Sequence, residues 1–329
     1  MPTKRHVLAT LASVVASPLG FVLPHARAQA AWPSAPLKIL VGFPPGSTPD
    51  LAARAVSDGL AAALGQPVVV ENRPGASGNI AADLVAKARD EHTVGVMING
   101  NLTVARLLNP ANPFDPARDF APVSLIGTAP LVLVAAGSAI GSTPQELLAW
   151  ARGLGNQANY GTPGNGTVGH LGMELIAGKT GLAPVHVPFA GNPQVVNAMI
   201  GGQLQLALLP PGLAMPQVRA GKLKAIAVTA PVRSSLVPEL PTLREIGVAG
   251  AELEVWTALA APATLAPARV ARLSTALVET IRSPQVRQRL LNVGWQAAAT
   301  SPEGLANRMK ADTAQLGAII RSRGIKADS

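Results

Sequence analysis

The sequence contains no cysteine. Disulfides and thiolate metal sites are therefore excluded, as is a lipid carried by a cysteine beside a leader cleavage site. Aromatic residues are only 3% of the 329 positions, with one tyrosine and four tryptophans. That scarcity disfavours sugar sites built from stacked rings and aromatic cages for cations. Charge is sparse as well, at 14%. The formal net charge of +9 comes from scattered Lys and Arg with no dense run, which argues against a nucleic-acid partner.

Recognisable catalytic patterns are also missing. His92, His170 and His186 stand at unrelated spacings with no H-E-x-x-H, so no metal is expected. Ser77 is followed directly by Gly78, which breaks a G-x-S-x-G elbow. Asp50 has no second acid nearby in sequence to form an acid/base pair. Gly178-Lys179-Thr180 imitates the end of a Walker A motif, but Met173 stands where its first glycine belongs. Gly164, Gly166 and Gly169 form a nominal G-x-G-x-x-G, yet Val185-His186-Val187-Pro188 lacks the acid that would hold a ribose. The expectation is a protein with no catalytic residue, no metal and no cofactor.

What remains is a hydrophobic content of 48%, ample for a globular core, and 30 prolines and 32 glycines placed mostly between elements. Residues 1–30 read as a secretory leader. Lys4, Arg5 and His6 open it, Val7 to Leu23 are mostly apolar, and Ala28-Gln29-Ala30 suits cleavage. Pro18, Gly20 and Pro24 interrupt the run, and no later stretch approaches membrane length. The expected product is periplasmic, freely diffusing and not lipidated.

Beyond the leader, apolar β-type runs alternate with helical patterns, which predicts an α/β fold with mostly parallel strands. Strands are expected at 37–43, 68–71, 93–98, 123–127, 131–136, 184–188, 204–209, 224–229 and 255–260. Helices are expected at 49–64, 78–89, 143–152, 168–177, 267–281 and 302–321, with Tyr160 in a loop and Gly178 at a helix end. Thr48 is the expected cap of the first helix, with Pro49 in its first turn and Asp50 at its positive end. The layout predicts two lobes between which the chain crosses twice: 31–128 with 256–329, and 129–255.

Two loops carry the binding expectation. Gly46-Ser47-Thr48 opens one helix, and Thr162-Pro163-Gly164-Asn165-Gly166-Thr167 opens another. Helix starts leave N–H groups unpaired and carry partial positive charge, so each can hold an anion. The residues alone leave three alternatives open. The glycine loop is a carboxylate cradle or a structural turn, Asp50 touches ligand or steadies its helix, and His170 touches ligand or braces its loop.

Longer motifs point to one family. They are Phe-Pro-Pro-Gly…Asp at 43–50, Glu-Asn-Arg-Pro-Gly-Ala-x-Gly-Asn at 71–79 and Asp-Phe-Ala-Pro-Val-Ser at 119–124. Asn-Tyr-Gly-x-x-Gly-Asn-Gly-Thr at 159–167, His-Val-Pro-Phe at 186–189 and Ala-Gly-Lys-Leu-Lys-Ala-Ile-Ala-Val-Thr at 220–229 complete the set. In this order the chain resembles the Bug (TctC-like) solute receptors of tripartite tricarboxylate transporters. The resemblance implies a two-lobe, type II "Venus flytrap", a small carboxylate ligand, a two-subunit membrane permease as partner, and a monomer.

Carried over from that resemblance, the ligand-binding set is Gly46, Ser47, Thr48, Asp50, Thr162, Gly164, Asn165, Gly166, Thr167, His170, Phe189, Gly191 and Asn192. Ser47 and Thr48 replace usual glycines, Phe189 replaces a usual tyrosine, and Asn192 substitutes for a nearby Thr or Ser. Gln205 and Leu209 stand where acidic or polar groups are usual, which implies a ligand without an ammonium and with an apolar body. Leu102 and Arg106 lie where the chain departs most from the family. Two other readings stay open: an exported hydrolase of unknown substrate, and a sensory subunit for a signalling partner.

Overall fold

The computed structural model describes residues 32–326; the expected leader at 1–30 lies outside them. From the start, the chain builds β1 (Leu37–Val41), α1 (Thr48–Leu64), β2 (Val68–Asn72), α2 (Asn79–Ala86) and β3 (Thr93–Ile98). Two short helices, α3 (Asn99–Thr103) and α4 (Ala105–Leu108), lead to the long strand β4 (Phe120–Pro130). Then come β5 (Val132–Ala136), α5 (Pro144–Leu154), β6 (Asn159–Thr162), α6 (Val168–Thr180), β7 (Val185–Pro188), α7 (Asn192–Ile200), β8 (Leu206–Leu209), α8 (Pro211–Arg219) and β9 (Leu223–Val228). The chain closes with β10 (Glu254–Pro262), α9 (Pro267–Arg282), α10 (Pro284–Asn292), β11 (Gln296–Ala297) and α11 (Pro302–Arg323).

These strands form two sheets. One has the order β11-β4-β10-β3-β1-β2, the other β7-β6-β8-β5-β9. β4 and β10 belong to the first sheet, β5 and β9 to the second, so the chain passes between sheets twice. β1 and β3 are almost entirely apolar because helices cover both faces of their sheet. The expectation of mostly parallel strands is corrected. β1–β2, β1–β3, β6–β7 and β6–β8 are parallel, but β10 runs antiparallel to β3 and β4, and β5 runs antiparallel to β8 and β9. Each crossing brings a strand in from the other sheet, and such a strand enters against the local direction.

Local expectations are corrected at several points. Tyr160 lies in strand β6 rather than a loop, since its ring fills the core at 1% exposure. α6 runs past Gly178 and ends at Gly181, whose left-handed conformation closes it. Ser47 rather than Thr48 holds the N-cap position of α1, though its hydroxyl makes no capping bond, and Thr48 is already helical. The separate helices α7, α8 and α10 were not foreseen, because each carries a proline in its first turn within a stretch that reads as loop. Among the described residues, no helix is long and apolar enough to cross a membrane.

Both crossings meet at one side chain. Thr229 is fully buried, and its hydroxyl accepts from the Leu131 amide at 2.8 Å while donating to the Leu253 carbonyl at 2.6 Å. Its own backbone adds bonds to the same two residues, N–H to the Leu131 carbonyl at 2.9 Å and carbonyl to the Leu253 amide at 3.0 Å. One threonine thus stitches the two connecting segments together. Thr229→Val keeps the shape but strands a buried donor and a buried acceptor. The expected cost is about 2–3 kcal/mol of unfolding free energy, read from urea midpoints.

Candidate ligand cleft

Three helix starts converge between the sheets. α1 begins at Thr48 behind Ser47, α6 at Val168 behind Thr167, and α7 at Asn192 behind Gly191. Asn192 Nδ2 donates to Thr48 Oγ1 at 3.3 Å, which joins the α7 start to that of α1. The first-turn N–H groups of Thr48, Asp50, Val168 and Gly169 have no partner within their helices by construction. Ser47, Thr48, Thr167, Val168, Gly169 and Asn192 line a cleft of about 40 Å³. Phe43, Ile98, Leu131, Leu208, Val255 and Trp295 supply its apolar walls. No charged residue lines it, so the attraction for an anion comes from backbone dipoles and neutral side chains.

Two polar atoms here are anomalous. Ser47 Oγ and Asn192 Oδ1 are buried with no hydrogen-bond partner. Burying an unpaired polar group costs about 1–3 kcal/mol, so two of them strain the closed arrangement. A second, polar chamber of about 180 Å³ continues from Thr167 and is lined by Ser77, Asn79, Asn101, Asn109, Asn165 and Gly166. Asn165 Oδ1 is likewise buried and unpaired.

The glycine loop is shaped to let the two sheets meet. Gly164 and Gly166 have φ of +123° and +75°, and a Cβ on them would overlap Ser77 and Leu108, which belong to the first sheet's side. At Gly191 a Cβ would come within 2.9 Å of Pro44 Cδ. These are close approaches between the two sides of a closed cleft.

Several expected contact residues turn out to brace the walls. The Asp50 carboxylate accepts from Gly46 N–H at 2.9 Å, Arg54 Nε at 3.0 Å and Asn72 Nδ2 at 2.9 Å. Asn72 also donates to the Phe43 carbonyl at 2.9 Å, fixing the first loop to the end of β2. Asp50 and Gly46 therefore shape that loop without lining the cleft. Thr162 Oγ1 donates to the Gly164 carbonyl, accepts from Gly164 N–H, and lies 2.7 Å from His186 Nε2. His170 Nδ1 accepts from Gly166 N–H at 3.1 Å. Its ring stacks on His186 at 4.1 Å and 8°, and His186 stacks on Tyr160 at 4.9 Å. Burial, and then the neighbouring His186, push the His170 pKa down to about 3, so the ring is neutral and its Nδ1 free to accept.

The positions that depart from the family pattern also find places. Phe189 packs against the core of the second sheet. Gln205 accepts from Asn159 N–H at 2.8 Å and Leu209 is core, so neither faces the cleft and the inference drawn from their lost acidity rests on the wrong residues. The cleft lacks acids all the same. Leu102 is buried core, and Arg106 pairs with Asp115 at the surface. Trp295 escaped the sequence reading altogether, yet its Nε1 donates to the Thr48 carbonyl at 3.1 Å and its ring walls the cleft. A tryptophan in a short Gly-Trp-Gln turn carries no local signal of that role. Among the described residues no cluster of His, Cys, Asp and Glu suited to a metal is present.

Residues 52–325 match the family model described as tripartite tricarboxylate transporter family receptor. A protein of Pseudomonas sp. (strain P51), from the tcbD-tcbE intergenic region, is 34% identical over 94% of this chain and 91% of its own length. Rpa4515 of R. palustris, solved with adipate, is 30% identical with a TM-score of 0.86 over 90% of this chain and all of its own. MatC of Rhodopseudomonas palustris, solved with bound malate, is 30% identical with a TM-score of 0.83 over 88% of this chain and all of its own.

Gly164→Ala should leave the fold intact at a cost of about 1 kcal/mol for its positive φ, yet oppose closure, since its Cβ would crowd the Ser77 side chain and come within 3.2 Å of the Ser77 backbone. Small-angle scattering with saturating ligand would then report the extended form where the parent compacts. His170 adds a pH signature. Its folded pKa lies below its unfolded value of about 6.5, so between those values the unfolded chain binds more protons and stability rises with pH. Acidification from pH 6.5 toward 4 should cost roughly 1 kcal/mol per unit through this residue, and urea titrations of His170→Gln should show a shallower slope.

Proposed function

The chain belongs to the tripartite tricarboxylate transporter receptor family, and we propose that it captures a small carboxylate between two lobes and delivers it to a two-subunit membrane permease. The lobes divide at the crossings, 31–128 with 256–329 against 129–255. The observation that carries this reading is the convergence of three helix starts, with Ser47 Oγ and Asn192 Oδ1 buried and unpaired, on a cleft lined by no charged residue. Carboxylate oxygens accept from the free first-turn N–H groups of α1 and α6 and from the Ser47 hydroxyl. Asn192 Oδ1 takes a ligand hydroxyl or a bridging water. The body of the ligand rests on Phe43, Ile98, Leu208, Val255 and Trp295.

The two structural neighbours hold adipate and malate, both small carboxylates, which supports the same chemistry here. Entry requires opening. A cleft of about 40 Å³ holds only a few waters, and the unpaired Ser47 and Asn192 atoms regain partners when the lobes part. The ligand then stabilises the closed form by its contacts to both sides.

The protein acts in the periplasm, exported by residues 1–30, unlipidated and monomeric. It performs no chemistry on its ligand. Ser34 Oγ does lie 3.5 Å from His92 Nε2, but that pair is exposed outside the cleft and His92 Nδ1 meets only the Asp90 carbonyl.

A thermal-shift screen of the mature chain against mono-, di- and tricarboxylates tests the proposal. A ligand at about 100 times its Kd adds about 2.7 kcal/mol, a rise of roughly 5 °C or more for a chain of this size. Succinate and adipate should shift the melting temperature more than aspartate and glutamate, because no acid in the cleft pairs an ammonium. Amino acids that bind more tightly than the matching acids would refute the amine exclusion. Turnover of a bound acid would refute the receptor reading itself.

A further inference from the structure

The C-terminal helix reaches the ligand loop from the far side of the molecule. α11 packs on β4 and α3 beside the first sheet and on α6 beside the second. Its middle is anchored in the first sheet's side through Asp312, which is buried. Asp312 Oδ2 accepts from Trp256 Nε1 at 2.6 Å and from Asn99 Nδ2 at 3.1 Å. Arg308 pairs with Asp312 at 2.8 Å and with Glu254 at 3.0 Å. This half of α11 is therefore fixed to the wall that carries β10.

The other end grips the second sheet. Arg323 pairs with Glu174 of α6 at 3.6 Å. Glu174 Oε1 accepts from the Tyr160 hydroxyl at 2.7 Å, and Tyr160 is the outer ring of the stack that continues through His186 to His170. Burial, and then the bond to Glu174, push the phenol pKa well above its ordinary value, so the hydroxyl keeps the proton it donates. The inner members of the stack hold the loop: His186 meets Thr162 Oγ1, and His170 accepts from Gly166 N–H. A second tie bypasses the stack, because Asn165 Nδ2 donates to the Lys326 carbonyl at 2.9 Å.

We infer that Arg323 and the tail through Lys326 are positioning elements of the ligand loop, holding Thr162–Thr167 in its binding shape from the end of a strut anchored in the first sheet. Neither lines the cleft, and the path from Arg323 to Gly166 N–H runs through Glu174, Tyr160, His186 and His170. Salt bridges at partly exposed sites contribute little to global stability. The role of this one is to restrict a loop that contains two glycines at positive φ, Gly164 and Gly166, which do little to order themselves. The consequence for binding rests on the receptor reading; the loop's order does not.

Hydrogen exchange of the unliganded full chain tests this without a ligand. Arg323→Ala and, separately, Tyr160→Phe should speed exchange of the amides of residues 164–167 about tenfold while β8 and β5 keep their protection. Arg323→Lys should restore most of the protection, because it keeps the charge that Glu174 pairs. Unchanged exchange of the loop in Arg323→Ala overturns the inference. So does an increase spread evenly over α6, β6 and β8, which would mark general destabilisation. A loop loosened by Arg323→Ala in a protein that binds no carboxylate would sink the receptor reading and leave the strut standing.

Discussion

The cleft is organised by the starts of α1, α6 and α7, which converge on it. The first N–H groups of a helix have no acceptor within that helix and must find one elsewhere. No lysine or arginine lines the cleft, so what it offers an anion is helix dipoles and neutral donors in an apolar frame. Such a site binds carboxylates as a class, since backbone donors recognise the head group and the walls recognise the rest. The neighbours with adipate and malate share that head group and differ in the body between.

Preorganisation comes from residues that do not line the cleft. Asp50, Asn72 and Arg54 tie the first loop to the end of β2. Thr162, His170 and His186 hold the second from beneath. Each brace satisfies its own polar atoms, which leaves the helix starts as the groups still seeking partners. The buried, unpaired Ser47 Oγ and Asn192 Oδ1 belong to the same economy of contacts: closure is favourable when something lies between the lobes and costly when nothing does.

Thr229 and α11 set the mechanics. Thr229 joins the two connecting segments through its buried hydroxyl and its own backbone groups. α11 passes from one sheet's side to the other and ends against the glycine loop through Asn165 and Lys326. The first sheet's wall is thereby tied to the glycine loop of the second.

Much of this was legible in the chain itself. Apolar runs such as Leu37–Val41 and Thr93–Ile98 announced buried strands, and the motifs from Phe43 to Thr229 announced the family. Those signals are local, and local periodicity and turn chemistry survive in a single sequence. The antiparallel return of β10, the place of Tyr160 in a strand, and the helices after Pro193, Pro211 and Pro284 did not survive in that way. They depend on which segment packs against which, from Tyr160 beside His186 to Thr257 beside Ile98, and no local pattern records that. The same holds within the candidate site. Ser47, Thr48 and Thr167 lie in loops that the sequence reads as helix starts, Asn192 came only through the family motif, and all four line the cleft. That Asp50 and His170 each brace the loop before their helix, and that Trp295 supports Thr48 across 247 residues of sequence, is visible only in the tertiary structure. A side chain's partner is set by what the fold brings within hydrogen-bond reach, and spacing along the chain does not encode it.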